Sequence, residues 1–388
     1  MTPKKFMLIA GEASGDLLAA ELVAALRDLP ELRADPRPPQ FFGAGGSKMA
    51  AAGVNLAFDL TAHSVIGISW VKKYFEFRRL FNHLFQLALE RQPEVIIGVD
   101  YGLFNGLFMQ AIRRHVRRQR PTFNNWRPRL VQYVSPQVWA SRSGRAAKLE
   151  RNLDLLLSIF PFEKEWYARH APRLPVEFVG HRLAECGVRS AECGSKTSTA
   201  PLAVLLPGSR KDELRRHLPL ILDALQLIRK EVPQLQARMV VPDVAKLAEA
   251  QPQLTAAGVV VQSGGLAAAL AQADVAITKS GTVTMECAAA GVPAIVLYKT
   301  SGLTYAIGKQ IVKVKYIAMP NLLAGGEVYP EFIQHAATPE NLARAALDLL
   351  NNETRRAEIK TRLAQVMASL GGPGSAPRAA RAILNLPS

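Results

Sequence analysis

The turn from Gly11 to Asp16 is the part of this sequence whose residue types most clearly suggest chemistry, because it places two carboxylates in a glycine-containing turn. An apolar run, Phe6 to Ala10, precedes it and leucines at helical spacing follow, so the turn joins a strand to a helix. A helix start favours anions, but Glu12 and Asp16 would repel a pyrophosphate. We therefore expect the turn to accept hydrogen bonds from sugar hydroxyls. The alternative is an ordinary capped turn in which Asp16 only complements the helix dipole.

Asp100 is a second candidate for chemistry. It directly follows the apolar strand Val95–Val99 and precedes a helical pattern. Burial raises the pKa of a carboxyl group toward the range in which a general base works. A carboxylate at the end of a buried strand is therefore a candidate general base. The alternative is that Asp100 caps the following helix.

Two further turns carry groups that suit a diphosphate. Pro207 to Arg210 follows an apolar strand, and the planar guanidinium of Arg210 fits a phosphate, with a surface salt bridge as the alternative. Ser280 to Thr284 places small hydroxylated residues around Gly281 at a helix start, where backbone N–H groups form an anion cradle. Glu286, one turn further on, is suitably placed to bind two ribose hydroxyls. Its alternative is a carboxylate that only favours the helix dipole.

The elements that must position these turns alternate between strands and helices, which predicts parallel sheets covered on both faces. Predicted strands of the N-terminal half lie near Phe6–Ala10, Phe41–Ala44, Val95–Val99, Leu130–Val134, Leu153–Ser158 and Val176–Val179. A polar stretch of small residues, Cys193 to Pro201, then interrupts the pattern as an interdomain linker would. Predicted strands after it lie near Ala203–Leu206, Arg238–Val241, Val259–Val261, Val275–Thr278 and Ala294–Leu297, and they alternate with helices at Leu214–Glu231, Leu266–Ala273 and Thr282–Ala290.

The fold class that this predicts is α/β, with two doubly wound, Rossmann-like domains. We expect them to face each other across a cleft, the GT-B architecture of many nucleotide-sugar glycosyltransferases. Ligands of open α/β sheets bind beyond the carboxyl ends of the strands, so the polar turns should converge there. The expected domains are 1–192 and 201–350, with C-terminal helices over 351–388 that pack back on the first domain.

Composition agrees with an intracellular enzyme of two domains. The chain has 388 residues and is 49% hydrophobic, enough for two ordinary cores. Its three cysteines have no Cys-x-x-Cys spacing, so neither a zinc site nor a disulfide framework is expected. The first apolar run is too short for a signal-peptide core, and no apolar stretch approaches the ~20 residues of a spanning helix. We therefore expect a cytoplasmic protein in a reducing compartment.

The charge is strongly positive, at +16, with basic clusters at Lys72-Lys73, Arg78-Arg79 and Arg113 to Arg120. Such an excess attracts nucleic acid, anionic lipid or phosphorylated substrates, and charge alone does not choose among them. Between Trp70 and Leu89, aromatic and basic residues interleave at helical spacing. This composition is typical of an interfacial membrane helix or an acyl-chain pocket. The alternative is a helix that packs its apolar face on the core.

Five groups of motifs together resemble the bacterial lipid-A-disaccharide synthases in residues, order and spacing. They cover nearly the whole chain, and the two C-terminal groups are specific enough to indicate this family rather than only its fold. They are Ala10-Gly11-Glu12-Ala13-Ser14-Gly15-Asp16; Phe42-Gly43-Ala44-Gly45-Gly46 with Met49; Tyr133-Val134-Ser135-Pro136-Gln137-Val138-Trp139; Leu206-Pro207-Gly208-Ser209-Arg210 with Glu213; and Ser280 to Glu286 with Pro320 to Gly325 and Pro330 to Gln334.

The resemblance implies roles for individual residues. Catalytic roles fall on Asp100 as the proposed base, on Arg210 and on Asn321. The acceptor would be bound by Glu12, Ser14, Asp16, Ser135 and Trp139, and UDP by Gly208, Ser209, Arg210, Ser280, Gly281, Thr282, Thr284, Glu286, Asn321 and Gln334. The chain departs from the family pattern at Gly102 and Leu103, where a Pro and a second Asp are usual, at Trp70, where Glu is usual, and at Arg182, where Pro is usual.

The reaction that the resemblance implies is an inverting displacement. The 6-hydroxyl of 2,3-diacylglucosamine 1-phosphate (lipid X) attacks the anomeric carbon of UDP-2,3-diacylglucosamine, UDP leaves, and a β-1,6-linked disaccharide forms. Inversion needs a base on the acceptor side and charge neutralisation on the departing side. No cofactor is expected, and because the sequence has no Asp-x-Asp pair, no metal is expected to hold the diphosphate. Both substrates carry acyl chains, so we expect a peripheral position on the anionic inner face of the inner membrane.

Two alternatives of other kinds stay open. The first is another UDP-sugar enzyme of the same fold, such as a UDP-GlcNAc epimerase or a GlcNAc transferase that acts on a peptidoglycan precursor. The second is a non-enzymatic basic protein that binds membrane or nucleic acid, which the net charge of +16 supports. No recognised RNA- or DNA-binding motif accompanies that charge, so we expect no specific nucleic-acid partner.

Overall fold

The computed structural model describes residues 4–34, 36–63, 70–118, 125–141, 143–186, 200–312 and 314–387. The chain divides into two compact units. Unit 1 comprises Met1–Arg182 together with Gly371–Ser388, and unit 2 comprises Leu183–Leu370. Each unit is described by itself below.

Both units alternate strands and helices. The strands are β1 (Lys5–Ala10), β2 (Gln40–Gly45), β3 (Asn55–Asp59), β4 (Val95–Val99), β5 (Arg129–Tyr133), β6 (Leu155–Ser158), β7 (Val176–Phe178), β8 (Leu202–Leu206), β9 (Gln236–Val241), β10 (Val259–Ser263), β11 (Val275–Lys279), β12 (Ala294–Tyr298) and β13 (Glu331–Ile333). The helices are α1 (Ala13–Asp28), α2 (Pro30–Arg33), α3 (Ser47–Ala51), α4 (Leu60–His63), α5 (Trp70–Arg91), α6 (Gly102–Arg118), α7 (Val138–Ser141), α8 (Ala146–Asn152), α9 (Pro161–His170), α10 (Lys211–Glu231), α11 (Gln251–Ala256), α12 (Leu266–Gln272), α13 (Val283–Ala289), α14 (Gly302–Ile311), α15 (Met319–Leu323), α16 (Pro339–Asn351), α17 (Glu353–Ser369) and α18 (Ser375–Leu384). Short 3₁₀ turns lie at Ser143–Arg145, Arg182–Cys186 and Val244–Ala250.

The sheet of unit 1 has the strand order β3-β2-β1-β4-β5-β6-β7, and its paired strands are parallel. The chain moves outward from β1 to β3 and then returns to β4 on the other side of β1. The order therefore reverses between β1 and β4, and ligands of such sheets bind at that switch point. The turn after β1 and Asp100 after β4 both lie there.

Alternate residues of β1 explain how this sheet is covered. Phe6 and Leu8 point to one face and pack with α1 and α18. Met7 and Ile9 point to the other face and pack with α5 and α6. Since both faces of the sheet are covered, Phe6 to Ala10 of β1 are all apolar and buried, and they form the continuous apolar run seen in the sequence.

The aromatic residues of α5 divide into packed and exposed side chains. Phe77, Phe81 and Phe85 meet Phe104 and Phe108 of α6 at ring-centroid distances of 5.0 to 6.4 Å. These three therefore follow the core-packing alternative of the sequence analysis. Phe75, in contrast, is 62% exposed. The side chains of residues 70–74, which include part of the predicted basic and aromatic pattern, lie outside the described residues.

The sheet of unit 2 repeats the same winding, with the order β10-β9-β8-β11-β12-β13 and parallel pairs. Its switch point lies between β8 and β11, where the turns Pro207–Arg210 and Ser280–Thr284 begin. The prediction of two doubly wound, Rossmann-like α/β domains is confirmed. The sequence did not predict β3 and β13, which are edge strands of their sheets.

The predicted linker, Cys193 to Pro201, lies outside the described residues up to residue 199. The C-terminal segment expected over 351–388 is divided, because α17 belongs to unit 2 and α18 to unit 1. On α18, Arg378 donates through Nε to the Val179 carbonyl at 2.8 Å, and Arg381 pairs with Glu31. Within the described residues, none of the helices combines the length and the apolar character that crossing a bilayer requires.

Candidate active site

Asp100 lies at the switch point of unit 1 in an uncommon backbone conformation. Its φ is +53° and that of the next residue, Tyr101, is +43°. Side-chain amides of Asn105 and Gln132 each donate to the Asp100 backbone carbonyl at 2.9 Å. The Asp100 N–H donates to the Tyr133 carbonyl at 2.8 Å. Non-glycine residues persist in this region only where the surroundings hold them, and such strain is concentrated at functional sites.

The carboxyl group of Asp100 has one short polar contact from the turn after β1. Ser14 donates through Oγ to Asp100 Oδ2 at 3.1 Å. Burial raises the pKa of Asp100, and the Ser14 hydroxyl partly opposes that rise. A carboxylate that is poorly solvated but held in place is suited to accept a proton.

Two glycines allow this close approach of the β1 and β4 turns. A Cβ at Gly11 would lie 2.4 Å from the Tyr101 ring. A Cβ at Gly15 would lie 3.1 Å from the Val99 carbonyl oxygen. The glycines of the first motif therefore bring Ser14 to the end of β4.

The remaining acidic residues of the first turn differ in their surroundings. Glu12 is exposed at the start of α1. Asp16 is only 4% exposed, and its carboxylate accepts N–H bonds from Gly46 at 2.7 Å, Lys48 at 2.9 Å and Met49 at 3.1 Å. These three amides belong to the start of α3, so Asp16 caps that helix from a distance. The acceptor-binding role of Asp16 stays a prediction, and its hydrogen bonds favour a positioning role.

Ser135 and Trp139, the other predicted acceptor residues, belong to a buried polar cluster. Trp139 donates through Nε1 to Glu163 Oε1 at 3.0 Å. Ser135 Oγ lies 3.0 Å from the Tyr167 hydroxyl. Glu163 is 1% exposed, and burial raises its pKa to about 7. The cluster ties the loop after β5 to helix α9.

Because its pKa is raised, Glu163 is expected to make folding depend on pH. The folded state holds the proton that the unfolded chain loses above the ordinary glutamate pKa of about 4.5. Stability is then greatest below that pH and falls as pH rises toward 7. Between pH 5 and 8 the loss is about 2 to 3 kcal/mol. Denaturant unfolding of the parent and of Glu163→Gln at both values measures it.

A matched control is Glu165→Gln on the same helix, since the Glu165 side chain is 81% exposed. That variant should keep the parental pH dependence, whereas Glu163→Gln should lose most of it. Equal pH dependence in the parent and Glu163→Gln would show that the buried carboxyl does not hold the proton.

In unit 2, Glu213 organises the turn after β8. Its Oε2 accepts N–H bonds from Ser209 at 3.1 Å and from Arg210 at 3.4 Å. Its Oε1 accepts from Lys279 Nζ at 2.9 Å. Burial alone would raise the pKa of Glu213, but the Lys279 ammonium and the N–H groups outweigh it and lower that pKa. The ionised carboxylate thus joins the turn after β8 to the end of β11.

In the same turn, the Arg210 guanidinium points toward solvent. Its side chain is 76% exposed, and Nη1 lies 3.9 Å from Glu213 Oε1. An exposed pair at that distance is weak, so the guanidinium can turn to an anion. Gly208 has a φ of +126°, and a Cβ there would lie 2.5 Å from Glu213 Oε2. Only glycine allows this turn to fold over Glu213.

The turn after β11 has the predicted glycine and hydroxyl groups at the start of α13. Gly281 has a φ of +145°. The Ser280 hydroxyl donates to the Ile317 carbonyl at 2.9 Å, and that of Thr284 donates to the Gly281 carbonyl at 2.7 Å. Thr282 is exposed, and Glu286 is partly exposed one turn later. The Thr284 and Met285 N–H groups donate to the carbonyls of Gly281 at 3.0 Å and Thr282 at 2.9 Å. An anion at this helix start would therefore be bound by the backbone N–H groups that precede them.

Asn321 is fully buried, and both ends of its amide are engaged with the chain. Nδ2 donates to the Tyr329 carbonyl and to Glu331 Oε1, both at 2.8 Å. Oδ1 accepts from the N–H groups of Val328 and Tyr329, both at 2.8 Å. Two donors and two acceptor positions are all that an amide side chain offers. The catalytic role of Asn321 stays a prediction, and this bonding favours a positioning role.

Gln334 also binds backbone. Its Nε2 donates to the Thr300 carbonyl at 2.9 Å, and its Oε1 accepts from the Thr300 N–H at 3.1 Å. This pair fixes the loop after β12 to the end of β13. The structure therefore brings the predicted UDP residues to the carboxyl edge of the second sheet. Asn321 and Gln334 use their side-chain amides there to hydrogen-bond the loops of the chain itself.

The structure thus has two candidate sites, each at the switch point of a doubly wound sheet. The sequence of nearly the whole chain matches one protein family. The sequence profile of the lipid-A-disaccharide synthetase family covers residues 6–384. This chain belongs to that family. The family identity suggested by the motifs is confirmed, and the chain is a glycosyltransferase.

Curated relatives of the lipid-A-disaccharide synthase family agree over their full length. The enzyme of Geobacter sulfurreducens is 35% identical over 398 residues, which covers 99% of this chain and 98% of that protein. The enzyme of Solibacter usitatus is 37% identical over 393 residues, covering 98% and 96%. Similarity of this extent excludes the non-enzymatic alternative.

Solved structures show the same fold in other UDP-sugar enzymes. The UDP-GlcNAc 2-epimerase from Neisseria meningitidis, bound to UDP-GlcNAc, gives a TM-score of 0.63 over 98% of this chain and 99% of that chain. Its sequence identity is only 10%, so the likeness concerns the fold. Family membership, and not architecture, therefore separates a synthase from the epimerase alternative.

Three departures from the synthase pattern lie among the described residues. A Cβ at Gly102 would lie 3.1 Å from Pro136 Cβ. Leu103, in place of the second family aspartate, is 67% exposed at the start of α6. Arg182 places Nε 3.9 Å from Glu21 Oε1. The side chain of Trp70 lies outside the described residues.

Several residues that build the two candidate sites were missed by sequence reasoning. Asn105, Gln132 and Glu163 act through buried hydrogen bonds, and burial of single polar residues leaves no periodic signal. For Glu163 a signal existed, because Pro161 followed by a carboxylate two residues later is typical of a helix start. Nothing in the sequence showed that this carboxylate would face Trp139.

Proposed function

We propose that this chain makes the lipid A disaccharide, with Asp100 as the base and the turns after β8 and β11 as the UDP site. It transfers 2,3-diacylglucosamine from UDP-2,3-diacylglucosamine to lipid X with inversion. The observation that supports these roles best is the partly buried Asp100 carboxyl, whose pKa burial raises, at the switch point of unit 1 in a chain of this family.

On the acceptor side, Asp100 takes the proton of the attacking 6-hydroxyl. The Ser14 hydroxyl, 3.1 Å from Oδ2, holds the carboxylate and stabilises its charge before the transfer. Burial disfavours that charge, so proton uptake becomes more favourable than for a solvated aspartate. Exposed Glu12 binds sugar hydroxyls directly, while Asp16, Ser135 and Trp139 position the loops around the acceptor.

On the donor side, negative charge develops on UDP as the glycosidic bond breaks. The exposed guanidinium of Arg210 and the amides at the start of α13 neutralise that charge. Glu286 binds the ribose hydroxyls through its carboxylate. Asn321 and Gln334 hold the loops that carry these contacts, as their buried hydrogen bonds indicate.

Because Arg210 and backbone amides neutralise the leaving group, we expect transfer without a divalent metal. UDP release from purified protein should require both substrates and should continue in EDTA at close to the untreated rate. The control omits lipid X, which should stop release. Loss of activity in EDTA that magnesium restores would replace the donor-side assignment with a metal site.

We also propose that unit 1 rests on the anionic inner face of the inner membrane. Helices α5 and α6 pack side by side, and exposed apolar residues lie near their N-terminal ends, namely Phe75 at 62%, Leu103 at 67% and Leu107 at 42%. Arg78 and Arg79 are exposed on α5. Apolar groups next to basic ones suit acyl chains beneath anionic headgroups.

Replacing Lys72, Lys73, Arg78 and Arg79 with Gln should therefore weaken sedimentation with anionic vesicles. Each basic residue near such a surface contributes about 1 kcal/mol. UDP affinity should stay unchanged, because the proposed nucleotide contacts are in unit 2. Added salt should mimic the substitution, since the attraction is screened over ~8 Å at physiological ionic strength.

The pair Lys230→Gln with Lys360→Gln, at two exposed lysines of unit 2, controls for a general loss of positive charge, and neutral vesicles control for apolar binding. If the quadruple variant sediments like the parent, α5 only packs on the core. Arg114 and Arg118 of α6, which are both exposed, would then be the next candidates.

A further inference from the structure

His217 is a fully buried histidine in helix α10 of unit 2. Its Nδ1 lies 2.7 Å from the Pro207 carbonyl oxygen, in the turn after β8. Its Nε2 accepts a hydrogen bond from the Lys299 N–H at 3.1 Å, in the loop after β12. One imidazole therefore joins two loops at the carboxyl edge of the second sheet.

The two contacts together indicate which ring nitrogen of His217 carries the proton. Since Lys299 N–H donates to Nε2, that nitrogen carries the lone pair, and Nδ1–H donates to Pro207. Burial lowers the pKa of His217 and favours this neutral form, although both carbonyl contacts oppose the shift. The Lys299 carbonyl lies 3.2 Å from Nε2, so a protonated ring could donate there only by giving up the bond from Lys299 N–H.

The position of the bridge matters because β8 and β12 are not neighbours. Each pairs with β11, which lies between them. Sheet hydrogen bonds therefore fix the strands but not the distance between the loops after β8 and β12. His217 makes that connection across the β11 turn, on which Glu213 also acts through Lys279. The loop after β12 is held on its other side by the Gln334 pair with Thr300.

We propose that His217 is a positioning residue that sets the spacing of the loops around the donor diphosphate. It does not touch the reacting atoms. It keeps the turn that carries Arg210 at a fixed distance from the loop after β12, with the Ser280–Thr284 turn between them. This inference rests on the proposed donor site in unit 2.

Three substitutions separate the two hydrogen bonds. His217→Asn keeps a donor near Nδ1, His217→Gln keeps an acceptor near Nε2, and His217→Leu removes both at similar volume. Because the Leu variant leaves the Pro207 carbonyl and the Lys299 N–H without their buried imidazole partner, we expect it to weaken UDP binding by roughly 10- to 100-fold. The Asn and Gln variants should fall between it and the parent. KM for the UDP-sugar should rise in the same order while KM for lipid X stays unchanged.

A pH profile distinguishes positioning from simple packing. The affinity of the parent for UDP should fall as pH drops through the lowered pKa of His217, and this dependence should vanish in His217→Gln. Glu213 and Lys279 are the charged groups that act on His217, with opposite signs, so their variants should shift the profile in opposite directions. His335→Gln, at an exposed histidine of the same unit, is the matched control.

If the Asn and Gln variants fold and bind UDP with the parental affinity at every pH, the inference is wrong, whether or not His217→Leu folds. Arg210→Ala distinguishes a failure of the His217 inference from a failure of the proposed donor site. If the His217 variants bind UDP like the parent while Arg210→Ala lowers kcat, only the inference about His217 is wrong. If Arg210→Ala also keeps the parental kcat, the proposed donor site is wrong.

Discussion

Asp100→Asn is expected to lower turnover by ~10²–10⁴-fold, which is the usual contribution of general base catalysis. The amide keeps the volume of the carboxyl group and can still bind Ser14, but it cannot take a proton from the 6-hydroxyl. Backbone conformation should survive, because the amides of Asn105 and Gln132 bind the Asp100 carbonyl and not its side chain. Steady-state rates with both acylated substrates measure the effect.

The control is Asp212→Asn, since the Asp212 side chain is 85% exposed and lies 3.6 Å from Arg215 on the same helix. It should retain the parental rate. An Asp100→Asn protein with near-parental turnover would remove Asp100 from the mechanism, and the base would have to be sought elsewhere. Ser14→Ala should give a smaller loss than Asp100→Asn, because it removes only a support of the carboxylate.

Arg210→Ala should reduce kcat by ~10²–10³-fold, the range seen when a donor to developing negative charge is removed. Its contact strengthens as UDP leaves, so kcat should fall more than the affinity for UDP. The parallel substitution Glu286→Ala should do the reverse, weakening UDP binding through the ribose. Calorimetry with UDP and steady-state kinetics on both variants separate the two roles.

Arg215→Ala is the matched control, because this arginine lies on the same helix with its side chain 73% exposed. It should behave like the parent. An Arg210→Ala variant that loses UDP affinity while kcat stays at the parental value would mean that Arg210 contributes only to ground-state binding. A Glu286→Ala protein that binds UDP as tightly as the parent would refute the ribose assignment.

Much of the fold could be predicted because buried parallel strands leave a simple pattern. β1, β4 and β8 are continuous apolar runs that end in glycine or polar turns. The two strands that were missed are at sheet edges. β3 is partly exposed along its length, and β13 has only three residues, so neither produces an apolar run. Edge strands bury less surface, and their pattern is correspondingly weak.

In the candidate sites, the sequence could predict only the residues that lie in recognisable motifs. Asp100, Arg210 and the Ser280 turn stand at strand ends, and the sequence shows this directly. The role of Asp16 depended on partners that are distant in sequence, at the start of α3. Asn321 binds Val328, Tyr329 and Glu331, which follow it closely, but the motif does not show those hydrogen bonds. A polar residue that binds substrate and one that holds a loop can have the same motif. Only the hydrogen-bond partners distinguish them.

His217 shows the same limit most clearly. In the sequence it is one polar residue on an amphipathic helix, where a surface position would be the default reading. Its function as a bridge requires knowing that α10 packs beneath the ends of β8 and β12. This packing is a tertiary contact, and no periodic pattern in the sequence near His217 indicates it.

The most direct test of the central claim is the product that the purified protein forms from UDP-2,3-diacylglucosamine and lipid X. Mass spectrometry should find a disaccharide 1-phosphate in equal amount to released UDP, and NMR of its new anomeric centre should report a β linkage to the 6-position. A UDP-sugar that is epimerised or hydrolysed with no disaccharide, or a disaccharide with an α linkage, would contradict the account.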